Sequence, residues 1–469
     1  MTTVGDTRRL PSLEDVAAAA GTPVSSLALR HLYVGPGALG QAPRLVGELA
    51  ADRRGDVVVL ADNVPYAGPN GEVKRSLLDS LAERGAMRLV TLRSGADRVH
   101  ADAATLDAAS RDVGPAAVLV TVGSGTLADI GKVVAERHDL PHLVVQTAAS
   151  VNGFTDDQSV LLVSGAKRTT PSRWPDALIA DTDVIAAAPR ELNRAGVGDL
   201  LSMFTAPADW LLADAVGLGR PYNPALVDLV RPHGPRLLEI AARLDERRPE
   251  DLADLARLLS ISGLTMGLAG ATAPSSGTEH VISHLLEMRL TASGREAAWH
   301  GQQVGVATLV AATVWRRLRA TVGEGPLPAL SLPDEDHARE RVLRVFAPLG
   351  EATAQECWRA YASKLATLAR EPARLADLRR RWPALQPSLD ALLAAPADLV
   401  EAMRSAGAAV RFSQLGEGYD PSTVTWAVAN GHRMRDRFTV TDLAELLGLW
   451  NNGDVDSVLD ELDGLGAGR

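Results

Sequence analysis

The stretch VLVTVGSGTLADIGKVVAERH (118–138) opens as a run of β-branched residues, breaks at Gly123-Ser124-Gly125-Thr126, and resumes with apolar residues at helical spacing. A buried strand, a tight turn and a helix in that order form part of a β-α-β unit. In such a turn the backbone amides and the positive end of the helix converge on one point, which suits an anion. Gly123 and Gly125 let the chain approach a pyrophosphate, Thr126 can cap the helix, and Asp129 and Lys132 fall in its first two turns. An ordinary strand-to-helix turn would carry the same local pattern.

The rhythm repeats on either side. HLYVG (31–35), DVVVLAD (56–62), MRLVTLR (87–93), AAVLVTV (116–122) and HLVVQTA (142–148) read as strands, with helical patterns beginning near Ala42, Gly71, Ala101 and Thr126. Alternation of this kind implies crossover helices over a mostly parallel sheet. The segment 158–181 breaks it and reads as a hairpin with an exposed turn around Lys167 to Pro171. From Pro189 strand signals nearly vanish, and segments such as FTVTDLAELLGLW (438–450) are helical by their apolar spacing. The expected organisation is an α/β domain over residues 1–188 followed by an all-α domain over 189–469.

A second glycine spacing, Gly35-x-Gly37-x-x-Gly40, also follows a strand and precedes a helix. Pro36 stiffens it and removes an amide donor, so a tight turn competes with direct phosphate contact. Asp62 ends the second strand, where a carboxylate can accept both ribose hydroxyls of an adenosine and repel a 2′-phosphate, favouring NAD over NADP. Asp62-Asn63 starting a turn is the alternative.

Composition sets the outer bounds. The 469 residues are 46% hydrophobic and carry a formal charge of −10, which allows sizeable cores and argues against general affinity for nucleic acid. Cys357 is the one cysteine, so no internal disulfide forms and a reducing cytoplasm fits. Asp6, Glu14 and Asp15 interrupt any apolar leader, and Ser, Thr and Gly interrupt the best uncharged run (259–276), so neither a secretion signal nor a membrane span is expected.

His280, His284 and His300 fall within GTEHVISHLLEMRLTASGREAAWHGQQVG (277–305), the first two at i and i+4 on one helix face. Asp199, in RAGVGDLLSMFTAPADW (194–210), is flanked by small residues. A carboxylate with two imidazoles suits a divalent transition metal, with Zn, Fe, Ni and Mn all open. A solvated or capping histidine pair has the same spacing.

Five motifs in order, GSGTLADIGK (123–132), TAASVNGFT (147–155), IADTDVIAAAPRELNRAGVGDLLSMFTAPADW (179–210), SGTEHVISHLLEMR (276–289) and WHGQQVGVA (299–307), resemble the sn-glycerol-1-phosphate dehydrogenase family. That family lies within the iron-containing alcohol dehydrogenase and dehydroquinate synthase-like superfamily, and RMRDRFTVTDLAELLG (433–448) is similar to the C-terminus of its bacterial members. The resemblance implies a Rossmann-like dinucleotide-binding domain, an α-helical metal- and substrate-binding domain, and a site in the cleft between them. It implies that Gly123, Ser124, Gly125, Thr126 and Leu127 hold the dinucleotide phosphates, that Thr147 and Ser150 approach the nicotinamide half, and that Asp156 belongs to the cofactor set. Asp199, His280 and His300 would be the metal ligands, and Asn152, Asp199 and His284 would face the substrate.

The implied activity is an oxidoreductase using NAD or NADP and one divalent Zn, Ni or Fe. It would interconvert a small ketone, dihydroxyacetone phosphate or a related polyol phosphate, and its secondary alcohol. A cytoplasmic homodimer or larger homo-oligomer is implied as well. Three positions depart from the family pattern: Asn152 stands where an Asp is usual, Met203 where a Lys is usual, and Pro207 is expected to kink or end its helix. Two further readings follow. One is a dehydroquinate synthase-like cyclase or lyase using NAD catalytically, although that family has a Glu where this chain has Asp199. The other is a non-catalytic dinucleotide- or sugar-phosphate-binding descendant, motivated by Asn152 and Met203.

Overall fold

The computed structural model describes residues 9–69, 71–82, 85–93, 98–163 and 166–469; Asp6 lies outside them. Leaving aside the two-residue strands Ala67–Gly68 and Gly71–Glu72, which pair only with each other, the first five strands are β1 (His31–Gly35), β2 (Val57–Asp62), β3 (Met87–Leu92), β4 (Val118–Gly123) and β5 (His142–Gln146). The helices Ala42–Ala50, Val73–Leu81, Ala103–Val113 and Gly125–His138 connect them. Then come β6 (Gln158–Val163), β7 (Ala166–Pro171) and β8 (Ala177–Asp181). Six of these strands form one sheet in the order β1-β8-β5-β4-β2-β3, and every neighbouring pair is parallel.

Side chains alternate across this sheet as the two-residue strand period requires. Val57, Val59, Val118, Val120, Leu143 and Val145 join the core on one face, while Val58, Leu60 and Leu119 join the core on the other. Burial on both faces explains why these strands read as near-continuous apolar runs.

The hairpin is β6 with β7, and Lys167 to Pro171 belong to its second strand and not to its turn. The segment ALIAD (177–181), expected within the hairpin, is instead β8, buried throughout and inserted between β1 and β5. A short apolar run fits either role by periodicity, and only the two-sided burial separates them.

The chain divides into two compact units: one contains the described residues to 163, 167–197 and 228–268, the other 166, 198–227 and 269–469. The helical segment 228–268, expected in the C-terminal domain, therefore belongs with the sheet. One helix among the described residues, Pro249–Ala269, is long and apolar enough to cross a membrane, and 67% of its apolar window is buried within the fold.

In the second unit the helices Thr278–Ala292 and His300–Val322 pack against each other, and Val440–Leu446 packs on the latter. The chain approaching Val440 is held by Lys364, which is 1% exposed and donates to the carbonyls of His432 (2.6 Å) and Arg437 (2.9 Å) and to Asp442 Oδ1 (2.5 Å). Pro207 neither kinks nor ends a helix: it lies in the first turn of Ala206–Ala215, where its missing N–H costs nothing. The break comes earlier, at the 3₁₀ turn Leu201–Phe204.

Candidate functional site

The two glycine loops end in opposite ways. At the first, Gly37 adopts φ 68° ahead of the 3₁₀ turn Ala38–Gln41. Two of its amides are already taken, because Asp181 Oδ1 accepts the Gly37 N–H (3.2 Å) and Asp181 Oδ2 accepts the Leu39 N–H (2.8 Å). A protein carboxylate thus caps the place where a phosphate would sit, and the loop is a tight strand-to-helix turn.

At the second loop Ser124 is the N-cap residue of Gly125–His138, and no side chain caps that end. Thr126 stands inside the first turn and is not the cap. Both glycines are demanded by close packing: a Cβ on Gly123 would lie 2.7 Å from Leu127 Cβ, and one on Gly125 would lie 2.7 Å from Val151 Cγ2. Gly131 brings the same helix onto the sheet, its added Cβ falling 2.1 Å from Thr121 Oγ1. Thr147 donates its N–H to the Gly123 carbonyl at 3.1 Å, which joins this glycine turn to the start of the 147–155 segment.

Lys132, fully buried, ties that segment down. Its Nζ is 2.6 Å from Asp156 Oδ1 and 3.3 Å from Asp129 Oδ1, and it donates to the carbonyls of Gly153 (2.9 Å) and Gln158. Burial opposes the ammonium, but the two carboxylates outweigh it and hold Lys132 above its ordinary pKa. Asp156, expected in the cofactor set, is 3% exposed and its carboxylate is engaged with Lys132. Asp62 starts a turn: its Oδ1 accepts the Val64 N–H (3.0 Å) and the Tyr66 hydroxyl (2.6 Å). Ser150 and Asn152 are 5% and 7% exposed, and the Asn152 amide donates to Ser262 Oγ at 3.2 Å.

Within the second unit, Asp199, His280 and His300 come together with one donor atom from each inside 4.8 Å. Asp199 is fully buried near the end of Arg190–Leu200, His280 lies in the first turn of Thr278–Ala292, and His300 begins His300–Val322. Glycine makes the approach of the first and last of these helices close enough. A Cβ on Gly198 would fall 2.2 Å from the Gly301 carbonyl oxygen and 3.3 Å from Gly305 Cα.

Asp199 Oδ1 stands 3.6 Å from His280 Nε2 and 3.9 Å from His300 Nε2. These separations exceed an N–H···O hydrogen bond of about 3 Å. Two donors each about 2.1 Å from a shared tetrahedral ion stand roughly 3.4 Å apart, so the donor set fits a divalent transition metal. His284 adjoins it, its ring stacked on that of His300 with centroids 5.2 Å apart and planes 28° apart.

The groups behind this cluster carry no spacing signal in the sequence. His280 Nδ1 is 3.0 Å from Glu279 Oε1, and Glu279 Oε2 accepts the Thr205 hydroxyl at 2.8 Å. Burial disfavours the Glu279 carboxylate, but His280 and the Gly277 N–H reverse this and lower its pKa. Burial likewise opposes a charged His280, and Asp199 and Glu279 together raise it. Two buried carboxylates around one imidazole select a cation. Asp209, 2% exposed, accepts from Thr278 N (2.7 Å), Trp315 Nε1 (3.1 Å) and Val440 N (2.9 Å), joining both histidine helices to the C-terminal segment. Burial and the charge of Glu279 push its pKa up to about 7. An acidic residue at a helix start was the one available signal for Glu279.

The iron-containing alcohol dehydrogenase family model matches residues 33–189. Glycerol-1-phosphate dehydrogenase (NAD(P)+) of Bacillus subtilis is 31% identical over 325 residues, which is 69% of this chain and 69% of that protein. The Bacillus licheniformis protein of the same name is 32% identical over 284 residues, covering 60% of this chain and 68% of its own length. Among solved structures, glycerol dehydrogenase from Schizosaccharomyces pombe superimposes with a TM-score of 0.55 at 17% identity, covering 92% of this chain and 91% of that one. At that identity the superposition speaks to the fold alone. The likeness to the two Bacillus proteins goes further, and the chain belongs to the glycerol-1-phosphate dehydrogenase family of iron-containing alcohol dehydrogenases.

Proposed function

We propose that this chain is a metal-dependent, NAD(P)-linked oxidoreductase that interconverts a small ketone, dihydroxyacetone phosphate or a related polyol phosphate, and the corresponding secondary alcohol. The observation that carries the reading is the convergence of Asp199, His280 and His300, from three separate helices, on one point. Asp199 Oδ1 and the Nε2 atoms of His280 and His300 would hold the ion. When bound, a divalent metal supplies Lewis acidity toward a substrate oxygen, and a nicotinamide dinucleotide supplies or accepts the hydride.

The chain's own residues account for the rest. The first-turn amides of Gly125, Thr126 and Leu127 bind the dinucleotide phosphates at the positive end of their helix. Lys132 keeps the 153–158 backbone fixed beside that helix. His284, stacked on His300, binds a substrate hydroxyl and exchanges its proton. Asn152 offers the substrate an amide and no charge, and Met203, 3% exposed, offers an apolar surface. A cytoplasmic homodimer or larger assembly acting on small molecules belongs to the same proposal.

The test follows NADH and NADPH absorbance with a panel of ketoses and their phosphates after loading the purified chain with Zn, Ni or Fe. Turnover is expected with at least one three- to four-carbon ketose or its phosphate. Asp199→Ala should lower it by about a thousandfold or more, since removing one of three ligands empties the site. No turnover with any substrate and metal overturns the reading.

A further inference from the structure

We infer that Glu279 is a positioning residue that fixes the imidazole of His280 with Nδ1 as its N–H and Nε2 as the bare nitrogen facing Asp199. The metal-binding part of this inference rests on the function proposed above; the ring geometry does not.

A carboxylate oxygen with no proton can only accept, so the Glu279 Oε1 atom 3.0 Å from His280 Nδ1 requires that nitrogen to donate. In the neutral ring the lone pair then falls on Nε2, the atom 3.6 Å from Asp199 Oδ1. His300 is held differently. Its Nδ1 is 3.5 Å from Ser283 Oγ, a hydroxyl that can donate or accept and so imposes no tautomer.

Glu279 is itself held on all sides. It is fully buried, its Oε1 also accepts the Gly277 N–H at 2.5 Å, and its Oε2 accepts the Thr205 hydroxyl. Thr205 closes the 3₁₀ turn that follows the Asp199 helix. One carboxylate therefore links the chain segment carrying Asp199 to the helix carrying His280, setting both the ring and the spacing between the two donors. Partners of this kind raise the basicity of a ligating imidazole, and losing one typically costs ten- to a hundredfold in metal affinity.

The experiment has two arms. In metal-free protein labelled with ¹⁵N in its histidines, at a pH high enough for the ring to be neutral, nitrogen spectra should show His280 protonated at Nδ1 and bare at Nε2. Titration with Co(II) should show Glu279→Gln binding about ten- to a hundredfold more weakly than the parent. NAD affinity, measured by calorimetry, should stay within about twofold in the same variant. Thr205→Val removes the Oε2 partner and leaves the contact to His280, so it should weaken Co(II) binding by a smaller factor, and it carries the test if Glu279→Gln does not fold.

An Nε2–H tautomer in the parent, or Co(II) affinity unchanged in both variants, overturns the inference. If the parent takes up no Co(II), the metal reading of the function fails, and the ring-nitrogen spectrum still decides whether Glu279 sets the ring.

Discussion

Gly123 and Gly198 perform the same service in two parts of the molecule. Each removes a Cβ that would otherwise strike a neighbour, at 2.7 Å from Leu127 in the first case and at 2.2 Å from the Gly301 carbonyl in the second. The neighbours differ in kind. Leu127 is four residues along the same strand-turn-helix, so the contact is complete within one stretch of chain. Gly301 begins far along the sequence, in another helix, and its carbonyl is backbone that cannot rotate away. A glycine turn between strand and helix can thus be built by local rules, whereas the Asp199, His280 and His300 cluster exists only once three helices have packed.

Lys132 offers the strongest way to break the local side of this comparison. Lys132→Met keeps the aliphatic stem but leaves the carboxylates of Asp156 and Asp129 without their buried cation. Breaking a buried pair in this way costs about 3–5 kcal/mol. A fall of that size in urea unfolding free energy is expected, together with weaker NAD binding. A loss below about 1 kcal/mol would mean that the 153–158 backbone is held without the ammonium.

Gly198→Ala attacks the tertiary side. Its Cβ meets fixed backbone at Gly301, so the Arg190–Leu200 and His300–Val322 helices must separate locally. Overpacking of this kind costs about 1–3 kcal/mol, and the shift falls one residue from Asp199 and His300. Co(II) affinity should drop while NAD affinity does not, and a variant that binds metal as tightly as the parent would show that glycine is not what sets the donor spacing.

The contrast also explains what could be read from the sequence. Five strands and the helices between them were legible because β-branched runs and helical periodicity are local signals. Strand β8 was not, because ALIAD is short and its place between β1 and β5 is a matter of topology. The histidines at i and i+4 gave a shared face and no more; the resemblance proposed the partners, and only helix packing brings His300 and Asp199 beside them. Glu279 gives no spacing signal, because adjacent helix residues point in different directions. It reaches His280 through its own side-chain conformation.

Asp181 gives the smallest and most discriminating change. Two loops with G-x-G spacing invite the same functional reading, and they differ in that Asp181 fills the first, accepting the Gly37, Leu39 and Asp183 N–H groups. Asp181→Asn keeps one acceptor oxygen and turns the other into a donor facing an N–H, which should cost about 1 kcal/mol of stability, in the range of a lost helix cap. NAD affinity should remain within about twofold, since the phosphates are assigned to Gly125, Thr126 and Leu127. If the substitution instead changes NAD affinity tenfold or more while the fold persists, the carboxylate is part of the nucleotide site. The Gly35-Gly37-Gly40 turn would then have to be restored as the phosphate loop.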